Sequence, residues 1–80
     1  MEITVKYFGI LADITKKKEE SFFIDDESNT LKLLQSKIEI KYPKILVINY
    51  SIAVNKKFLQ NDISLKNNDI IAFLPQFAGG

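Results

Sequence analysis

The chain has 80 residues, 46% of them apolar, and a formal net charge of +1, which allows one small soluble domain and gives no general attraction for nucleic acid or lipid. All eleven cations are lysines, whereas bidentate recognition of phosphate or guanine favours arginine. Cysteine and histidine are absent, which excludes disulfides, zinc–thiolate sites, thiol nucleophiles and the commonest general base, so we expect no metal or cofactor bound by this chain.

The first two strands are predicted to form a hairpin. In Glu2–Phe8 apolar and polar residues alternate, as in a half-buried strand, and Phe8 places an aromatic ring on the polar side. A lysine-rich turn leads to the second strand, Ser21–Asp25. We interpret Lys16–Lys18 as a solvated hairpin tip, with a docking patch for an acidic partner as the alternative. MEITVKY begins as a strand rather than a signal peptide, and no run of about 18 apolar residues exists, so we expect a cytoplasmic protein without a membrane span.

One main helix is predicted in NTLKLLQSKIEIKYP. Its apolar residues recur at the spacing of one helix face: Leu31, Leu34, Ile38 and Tyr42. Thr30 is the predicted N-cap, and the acidic run Asp25–Glu27 is expected to place negative charge near the N-terminus of the helix. Pro43 prevents the helix from continuing.

Three extended stretches complete the chain: Tyr50–Val54, Phe58–Gln60 and Asp69–Leu74. We expect Asn55 to form a tight turn rather than a site. The last stretch is apolar on both sides, which is typical of a strand inside a sheet, and Pro75 ends it.

This order of elements predicts an α+β fold of the β-grasp, ubiquitin-like type. One main helix covers one face of a mixed sheet of four to five strands, with the first and last strands side by side at its centre. The domain spans residues 1–75. Because no second helix covers the other face, Phe8 and its neighbours suggest a partner surface there.

The chain closes with a segment, residues 76–80, that continues no periodic pattern; we expect a flexible arm. Two of the three glycines of the chain are its last two residues, Gly79 and Gly80. A glycine pair can pass through a channel that would exclude a β-carbon, which matters if the terminal carboxyl of Gly80 is the reacting group. A carboxylate is ionised at neutral pH and is a poor electrophile, so it would first need activation, for example as an acyl-adenylate made from ATP.

Four blocks of the sequence resemble the small, sulfur-carrying subunit of molybdopterin synthase (MoaD-like). They are VKYFGILADIT, NTLKLLQSKIEIKYP, IAVNKKFL and NNDIIAFLPQFAGG, of which the last, with Phe-x-Pro-x-x-x-Gly-Gly, is the most specific. The chain departs from the family at Ala12 and Asp13, where arginine and glutamate are frequent, and near Lys16, where a glycine is frequent. It also has Asn68 where the family commonly has the glycine of an Asp-Gly-Asp turn.

The resemblance implies a mechanism. A ubiquitin-activating-like adenylyltransferase uses ATP and magnesium to adenylate Gly80, which then receives sulfur and becomes a thiocarboxylate. Its sulfur attacks a cyclic pyranopterin monophosphate in a pocket of the large synthase subunit and builds the molybdopterin dithiolene. The family assembles two small and two large subunits. The chain is thus the sulfur-donor subunit of an enzyme and supplies no catalytic side chain of its own.

The resemblance also assigns roles to residues near the C-terminus. Gly80 carries the sulfur, while Gly79 and Ala78 give clearance in the channel of the partner. Partner contacts are expected from the residues themselves, since Phe73, Leu74 and Pro75 border the tail, Phe77 is an aromatic residue on the arm, and Phe8 lies on the polar side of the first strand. For Phe73 and Leu74, packing in the core is an equal alternative.

Three other functions remain open. A thiamine-thiazole sulfur carrier shares the fold, the Gly-Gly end and the activation step. A ubiquitin-like protein modifier would instead form an isopeptide bond from Gly80 to a lysine of its target. The last alternative is a pure binding module whose tail has no chemical role.

Overall fold

The computed structural model describes residues 1–27, 29–59 and 61–76. In chain order the elements are β1 (Glu2–Tyr7), α1 (Ile10–Thr15), β2 (Glu19–Phe23), α2 (Leu31–Lys41), a 3-10 helix (Pro43–Val47), β3 (Tyr50–Val54), β4 (Lys57–Phe58) and β5 (Ile70–Pro75). The predictions that concern Phe77, Ala78, Gly79 and Gly80 lie outside the described residues.

The five strands form one mixed sheet in the order β2-β1-β5-β3-β4. β1 and β5, the first and last strands, lie side by side and run parallel. β2 pairs antiparallel with β1, and β3 pairs antiparallel with both β5 and β4. The predicted sheet, with its first and last strands adjacent and flanked on both sides, is confirmed.

Helix α2 covers one face of this sheet. The Oγ1 atom of Thr30 accepts a hydrogen bond of 3.3 Å from the N–H of Leu33, so the predicted N-cap is confirmed. The side chain that adds negative charge at this helix end is Asp62, whose Oδ1 accepts from the N–H of Lys32 at 2.9 Å. The exposed run Asp25–Glu27 makes no such bond in the described part of the chain, so its role as negative charge near this helix end stays a prediction.

A short helix that the sequence did not predict, α1, lies in the loop of the first hairpin. Its residues Leu11 and Thr15 are four apart, so they share one helix face, and both are buried. The hydroxyl of Thr15 donates to the C=O of Leu11 at 3.0 Å, which satisfies the buried polar group. The hairpin itself is confirmed, although β2 begins at Glu19, two residues before the predicted start.

The core lies between the sheet and the helices. Its fully buried side chains come from every layer: Ile3, Val5, Leu11, Ile38, Ile45, Ile71 and Phe73. Burying one such side chain contributes about 1.5–3 kcal/mol, and this is what holds a chain of this size together. Among the described residues, no helix is long and apolar enough to cross a bilayer.

Candidate partner surface and C-terminal exit

The described part of the chain ends just beyond the central strand β5, between the end of β1 and the start of β3, and we call this point the chain exit. The N–H of Phe8 donates to the C=O of Phe73 at 3.1 Å, and the N–H of Gln76 donates to the C=O of Asn49 at 3.0 Å. The side chain of Gln76 also donates to Oγ of Ser51 at 3.2 Å. Gln76, predicted as the first residue of the flexible arm, is therefore hydrogen-bonded to the segment that begins β3.

Gly9 shapes the other side of this exit. Its φ of +56° lies in the left-handed region, which residues with a β-carbon rarely adopt. A β-carbon built on Gly9 would also lie only 3.0 Å from Cγ of Pro75. Both the conformation and the space require glycine here, and the result is that the ring of Pro75 packs against the end of β1.

The sheet face that α2 does not cover carries an apolar groove of about 440 Å³; we call it the open-face groove. Its lining residues come from β1, β3, β4, β5 and the segments beside them: Lys6, Phe8, Ala53, Asn55, Lys56, Phe58, Ile70, Ala72 and Leu74. Strand alternation explains the lining of β5, since Ile71 and Phe73 point to the core and the residues between them point outward. The paired small residues Ala53 and Ala72 leave room for the groove.

Two of the predicted partner contacts line this groove. Phe8 is 43% exposed, and Leu74 is half-buried at the end of the groove that leads to the chain exit. Pro75 is half-buried against Gly9 and does not line the groove. The structure thus brings Phe8 and Leu74 onto one surface, with Pro75 beside it.

Phe73 belongs to the core. It has no exposed surface, and its ring packs between Tyr7, at 5.9 Å between centroids, and Tyr50, at 5.2 Å. The alternative of core packing therefore describes Phe73, and its side chain offers no surface for a partner to contact. The reason is the register of β5, which turns every second residue toward α2.

Sequence reasoning missed several residues of the open-face groove. Phe58 is 66% exposed and Ile70 is 42% exposed, and Lys6 and Lys56 add positive charge at the rim. The signal was present in β5, where residues on both sides of the strand are apolar although only one helix is available to cover one side. Which side stays open depends on the position of α2, which no local pattern specifies.

Asn55 forms the turn between β3 and β4, as predicted. It has a φ of +49°, and Lys56 has a φ of +72°, the left-handed pair that suits a two-residue hairpin. The side chain of Asn55 adds a second role, because its Oδ1 accepts from the N–H of Ile70 and its Nδ2 donates to Oδ1 of Asp69, both at 2.9 Å. These bonds join the turn to the start of β5 at one end of the groove.

A polar cluster lies at the opposite side of the molecule, around Glu20. One oxygen accepts from the hydroxyls of Tyr7 at 2.7 Å and Tyr42 at 2.8 Å. The other accepts from Nζ of Lys41 at 2.9 Å and of Lys17 at 3.3 Å. Burial alone would raise the pKa of Glu20, but these four donors outweigh it and lower the pKa to about 2.

Tyr7 and Tyr50, which each donate a hydrogen bond to a carboxylate, hold their protons more tightly than a free tyrosine, because their pKa values are raised. Burial and the carboxylate of Glu20 raise the pKa of Tyr7 well above its usual range. Burial and a hydrogen bond to Glu39 raise the pKa of Tyr50 to about 12. The pKa values of Glu20, Tyr7 and Tyr50 thus lie far from neutral pH, where a general acid or base would be tuned. We therefore interpret the Glu20 cluster and the contact between Tyr50 and Glu39 as ties between α2 and the sheet.

Comparison with known proteins gives matches over nearly the whole chain. The ThiS family matches residues 5–80. A chain in the protein–protein complex of subunits 1 and 2 of molybdopterin-converting factor from Helicobacter pylori 26695 is 35% identical, with a TM-score of 0.68, and the match covers 100% of each chain.

More distant structures share the fold. The putative molybdopterin converting factor subunit 1 from Pyrococcus furiosus has a TM-score of 0.86 at 22% identity, over 96% of this chain and 99% of that one. SAMP1 from Haloferax volcanii has a TM-score of 0.83 at 16% identity, over 100% of each. Both confirm the predicted β-grasp architecture. Because the family match runs from Val5 to the last residue, the chain belongs to the ThiS family and has the ubiquitin-like β-grasp fold of these relatives.

Proposed function

We propose that this protein is the sulfur-carrying small subunit of molybdopterin synthase, with sulfur held as a thiocarboxylate on Gly80. The observation that carries the proposal is the 35% identity over the whole chain to a component of a molybdopterin-converting factor complex. The closing block FLPQFAGG, with its Phe-x-Pro-x-x-x-Gly-Gly spacing, supports the same function.

The geometry of the exit suits a carrier. Hydrogen bonds hold the backbone as far as Gln76, and the residues that follow it to Gly80 can span at most about 14 Å when extended. A rigid domain on a short arm can dock on the surface of a partner while the carboxyl of Gly80 enters a pocket of that partner. Gly79 and Gly80 have no β-carbon, so they can pass through a narrower channel than any other residue could.

The chemistry begins at an unreactive group. The carboxylate of Gly80 attacks the α-phosphorus of ATP, bound with magnesium by the activating partner, and pyrophosphate leaves. Sulfide supplied by the donor then attacks the carbonyl carbon of the acyl-adenylate, AMP leaves, and loss of the remaining proton from the sulfur gives the thiocarboxylate. The thiocarboxylate sulfur then bonds to a carbon of the pterin precursor, and water hydrolyses the resulting thioester, so that the sulfur stays on the precursor and Gly80 is again a carboxylate. A dithiolene contains two sulfur atoms, so two chains that each carry one thiocarboxylate are consumed for each molecule of product.

The open-face groove is the proposed docking surface for the large subunit. Phe8 and Phe58 offer apolar area at its two sides, and interface cores are enriched in such aromatic residues. Lys6 and Lys56 lie at the rim, where charge steers and orients a partner more than it adds affinity. The partner should therefore present apolar side chains bordered by carboxylates.

The match to the ThiS family keeps the thiamine-thiazole carrier as a second candidate. Both carriers pass through the same adenylate and thiocarboxylate on Gly80, so the fold and the tail chemistry are equal for them. The difference lies in the acceptor of the sulfur. A protein modifier diverges earlier, because a lysine of a target attacks the activated Gly80 and a stable isopeptide bond results.

The test uses the purified chain, an adenylyltransferase of the family, magnesium-ATP and a sulfide donor. Intact mass spectrometry should show one oxygen replaced by sulfur, and the variant that lacks Gly80 should show no change. The charged chain is then mixed with the large subunit and cyclic pyranopterin monophosphate, and the dithiolene product is measured after oxidation to its fluorescent derivative.

The outcomes separate the candidates. Molybdopterin formed in proportion to the amount of chain that carries the thiocarboxylate supports the proposal. A thiocarboxylate that yields no molybdopterin, but supplies sulfur to a thiazole synthase, overturns it in favour of the thiamine carrier. Conjugates of higher mass that survive denaturation identify a modifier, and an unchanged mass with active enzyme controls leaves a binding module.

A further inference from the structure

Two short helical segments flank the chain exit. α1 begins directly after Gly9, the residue that forms one side of the exit. The 3-10 helix Pro43–Val47 ends two residues before Asn49, whose C=O accepts from the N–H of Gln76 on the other side. The two segments also contact each other. Both therefore border the point where the described chain ends, and they form one continuous surface beside it.

The sides of these two segments that face away from the core are apolar. Their inward residues Leu11 and Ile45 are fully buried, whereas Ile10, Leu46 and Val47 are exposed, Val47 to 83%. The solvent side of a surface helix is usually polar, and clustered exposed apolar side chains are typical of a surface that binds a partner. We call Ile10, Leu46 and Val47 the exit-side patch.

The length of the chain beyond Gln76 limits where a partner can bind. From Gln76 to Gly80 the backbone spans at most about 14 Å. To form an acyl-adenylate, the carboxylate of Gly80 must come within about 3–3.5 Å of the α-phosphorus of ATP, in a site that excludes water from the reacting atoms. When Gly79 and Gly80 occupy the narrow channel to that site, about 7 Å remains between its mouth and Gln76. The rim of the channel must then contact the side chains that flank the chain exit.

We propose that the exit-side patch is a contact surface for the adenylyltransferase that activates Gly80, and that this partner presents apolar side chains around the mouth of its channel. The patch lies within reach of that rim, since Ile10 adjoins Gly9, and the Cα atoms of Val47 and Asn49 are at most about 7 Å apart. It is distinct from the open-face groove, whose lining includes none of its three residues. The inference rests on one step of the proposed function, the activation of Gly80, which a thiamine carrier and a modifier would share.

The kinetics of adenylation test the proposal. The assay is ATP–pyrophosphate exchange by an adenylyltransferase of the family, with the full chain as the varied substrate. Val47→Asp should lower kcat/KM about tenfold or more through a higher KM, because the new charge would be buried at an apolar contact without a partner. Ile10→Asp should act in the same direction. For both variants kcat should stay near the wild-type value, since neither side chain touches the reacting atoms.

The matched control is Leu33→Asp on α2. It introduces the same charge at an apolar position that is 51% exposed, close to the exposure of Ile10. Leu33 lies at the other end of the domain, because the N-terminal end of α2 is bonded to the segment that precedes β5, through the N–H of Leu65 and the C=O of Asn29, whereas the chain exit follows β5. The control should leave KM unchanged. Urea denaturation of the three variants shows whether each is folded.

Photo-crosslinking tests the contact directly, without an aspartate variant. The chain has no cysteine, so Val47→Cys and Leu33→Cys each carry a single benzophenone label. Irradiation with the adenylyltransferase and magnesium-ATP should cross-link the label at position 47 to the enzyme, and the label at position 33 much less.

Four results would overturn the inference. An unchanged KM for both Val47→Asp and Ile10→Asp means that the patch makes no contact in the complex. An equal rise in KM for Leu33→Asp assigns the effect to charge or folding. A label at position 47 that cross-links no better than one at position 33 places the patch outside the interface. A wild-type chain that gives no exchange with an active enzyme overturns the activation step of the proposed function as well, which distinguishes that failure from a failure of the patch alone.

Discussion

The two faces of the sheet differ most clearly at Ile70 and Ile71, neighbours of the same residue type on β5. Ile71 has no exposed surface, whereas Ile70 is 42% exposed in the open-face groove. Because both residues are isoleucine, hydrophobicity cannot explain why only one is buried. The position of α2 over one face of the sheet explains it. The face under α2 holds the fold together, and the other face keeps apolar area available for a partner. Substitutions that cost stability on one face should therefore cost mainly binding on the other.

The largest expected effect lies on the covered face. Phe73→Ala should lower the free energy of unfolding by about 3–5 kcal/mol, because it removes a buried ring and leaves a cavity between Tyr7 and Tyr50. Urea denaturation measures the change. Phe8→Ala is the matched control on the open face, and equal losses for the two variants would contradict the contrast between the faces.

The next effect concerns the cluster that ties α2 to the first hairpin. Glu20→Gln should lower the free energy of unfolding by about 2–3 kcal/mol at neutral pH, less than the full pKa shift implies, since Lys17 and Lys41 are partly solvated. The pKa of Glu20 is lowered to about 2 in the folded protein. The contribution of its carboxylate to the free energy of unfolding is therefore complete above the unfolded pKa, and it is lost as the pH falls from there through the folded pKa. Denaturation at a series of pH values checks this. A difference between wild type and variant that persists unchanged in strong acid would contradict it.

A smaller effect is expected where the covered and open faces meet, at the chain exit. Gly9→Ala should destabilise the protein by about 1–2 kcal/mol, because alanine is strained at positive φ and its β-carbon would press on Pro75. Thermal or urea unfolding gives the cost. Since Pro75 directly precedes the chain exit, its displacement should disturb the position of the C-terminal segment. We therefore expect the thiocarboxylate to form more slowly on the variant than on wild type. Unchanged stability together with an unchanged charging rate would show that the contact does not shape the exit.

The cap of the covering helix gives an effect of about 1 kcal/mol. Thr30→Ala removes the acceptor for the N–H of Leu33 and should destabilise α2 by that amount, whereas Thr30→Ser keeps an acceptor and should not. Both variants are compared by urea denaturation. Equal stability of the two would mean that Asp62, at the N–H of Lys32, is sufficient by itself.

The smallest effect on stability is expected in the open-face groove. Phe8→Ala and Phe58→Ala should each change the free energy of unfolding by less than about 1 kcal/mol, because both rings are substantially exposed. The same variants should weaken binding of the large subunit by tenfold or more, as expected for aromatic anchors. Calorimetric titration measures the affinity. Ile40→Ala, at an 81% exposed position of α2, is the control that should leave binding unchanged.

Local sequence patterns predicted most of the architecture. Alternation located the strands, the 3.6-residue period located α2, and Thr30 and Pro43 marked its limits, because each of these signals lies within a few residues. The turn at Asn55 was predictable for the same reason. The short helix α1 was missed because six residues in a lysine-rich loop carry too weak a period. Asp62 was missed because its contact with α2 joins residues 30 apart in the chain.

The candidate site divides in the same way. The sequence by itself determined the Gly-Gly end, the alternation of β5 and the presence of an aromatic residue at position 8. Only the tertiary structure decided that Phe73 packs inward, that Phe58 and Ile70 join Phe8 in one groove, and that Glu20 collects four donors, three of them from distant segments. The physical reason is that the alternation of side chains, a local property, shows which residues share a side of a strand. Which of the two sides is buried depends on where the rest of the chain packs.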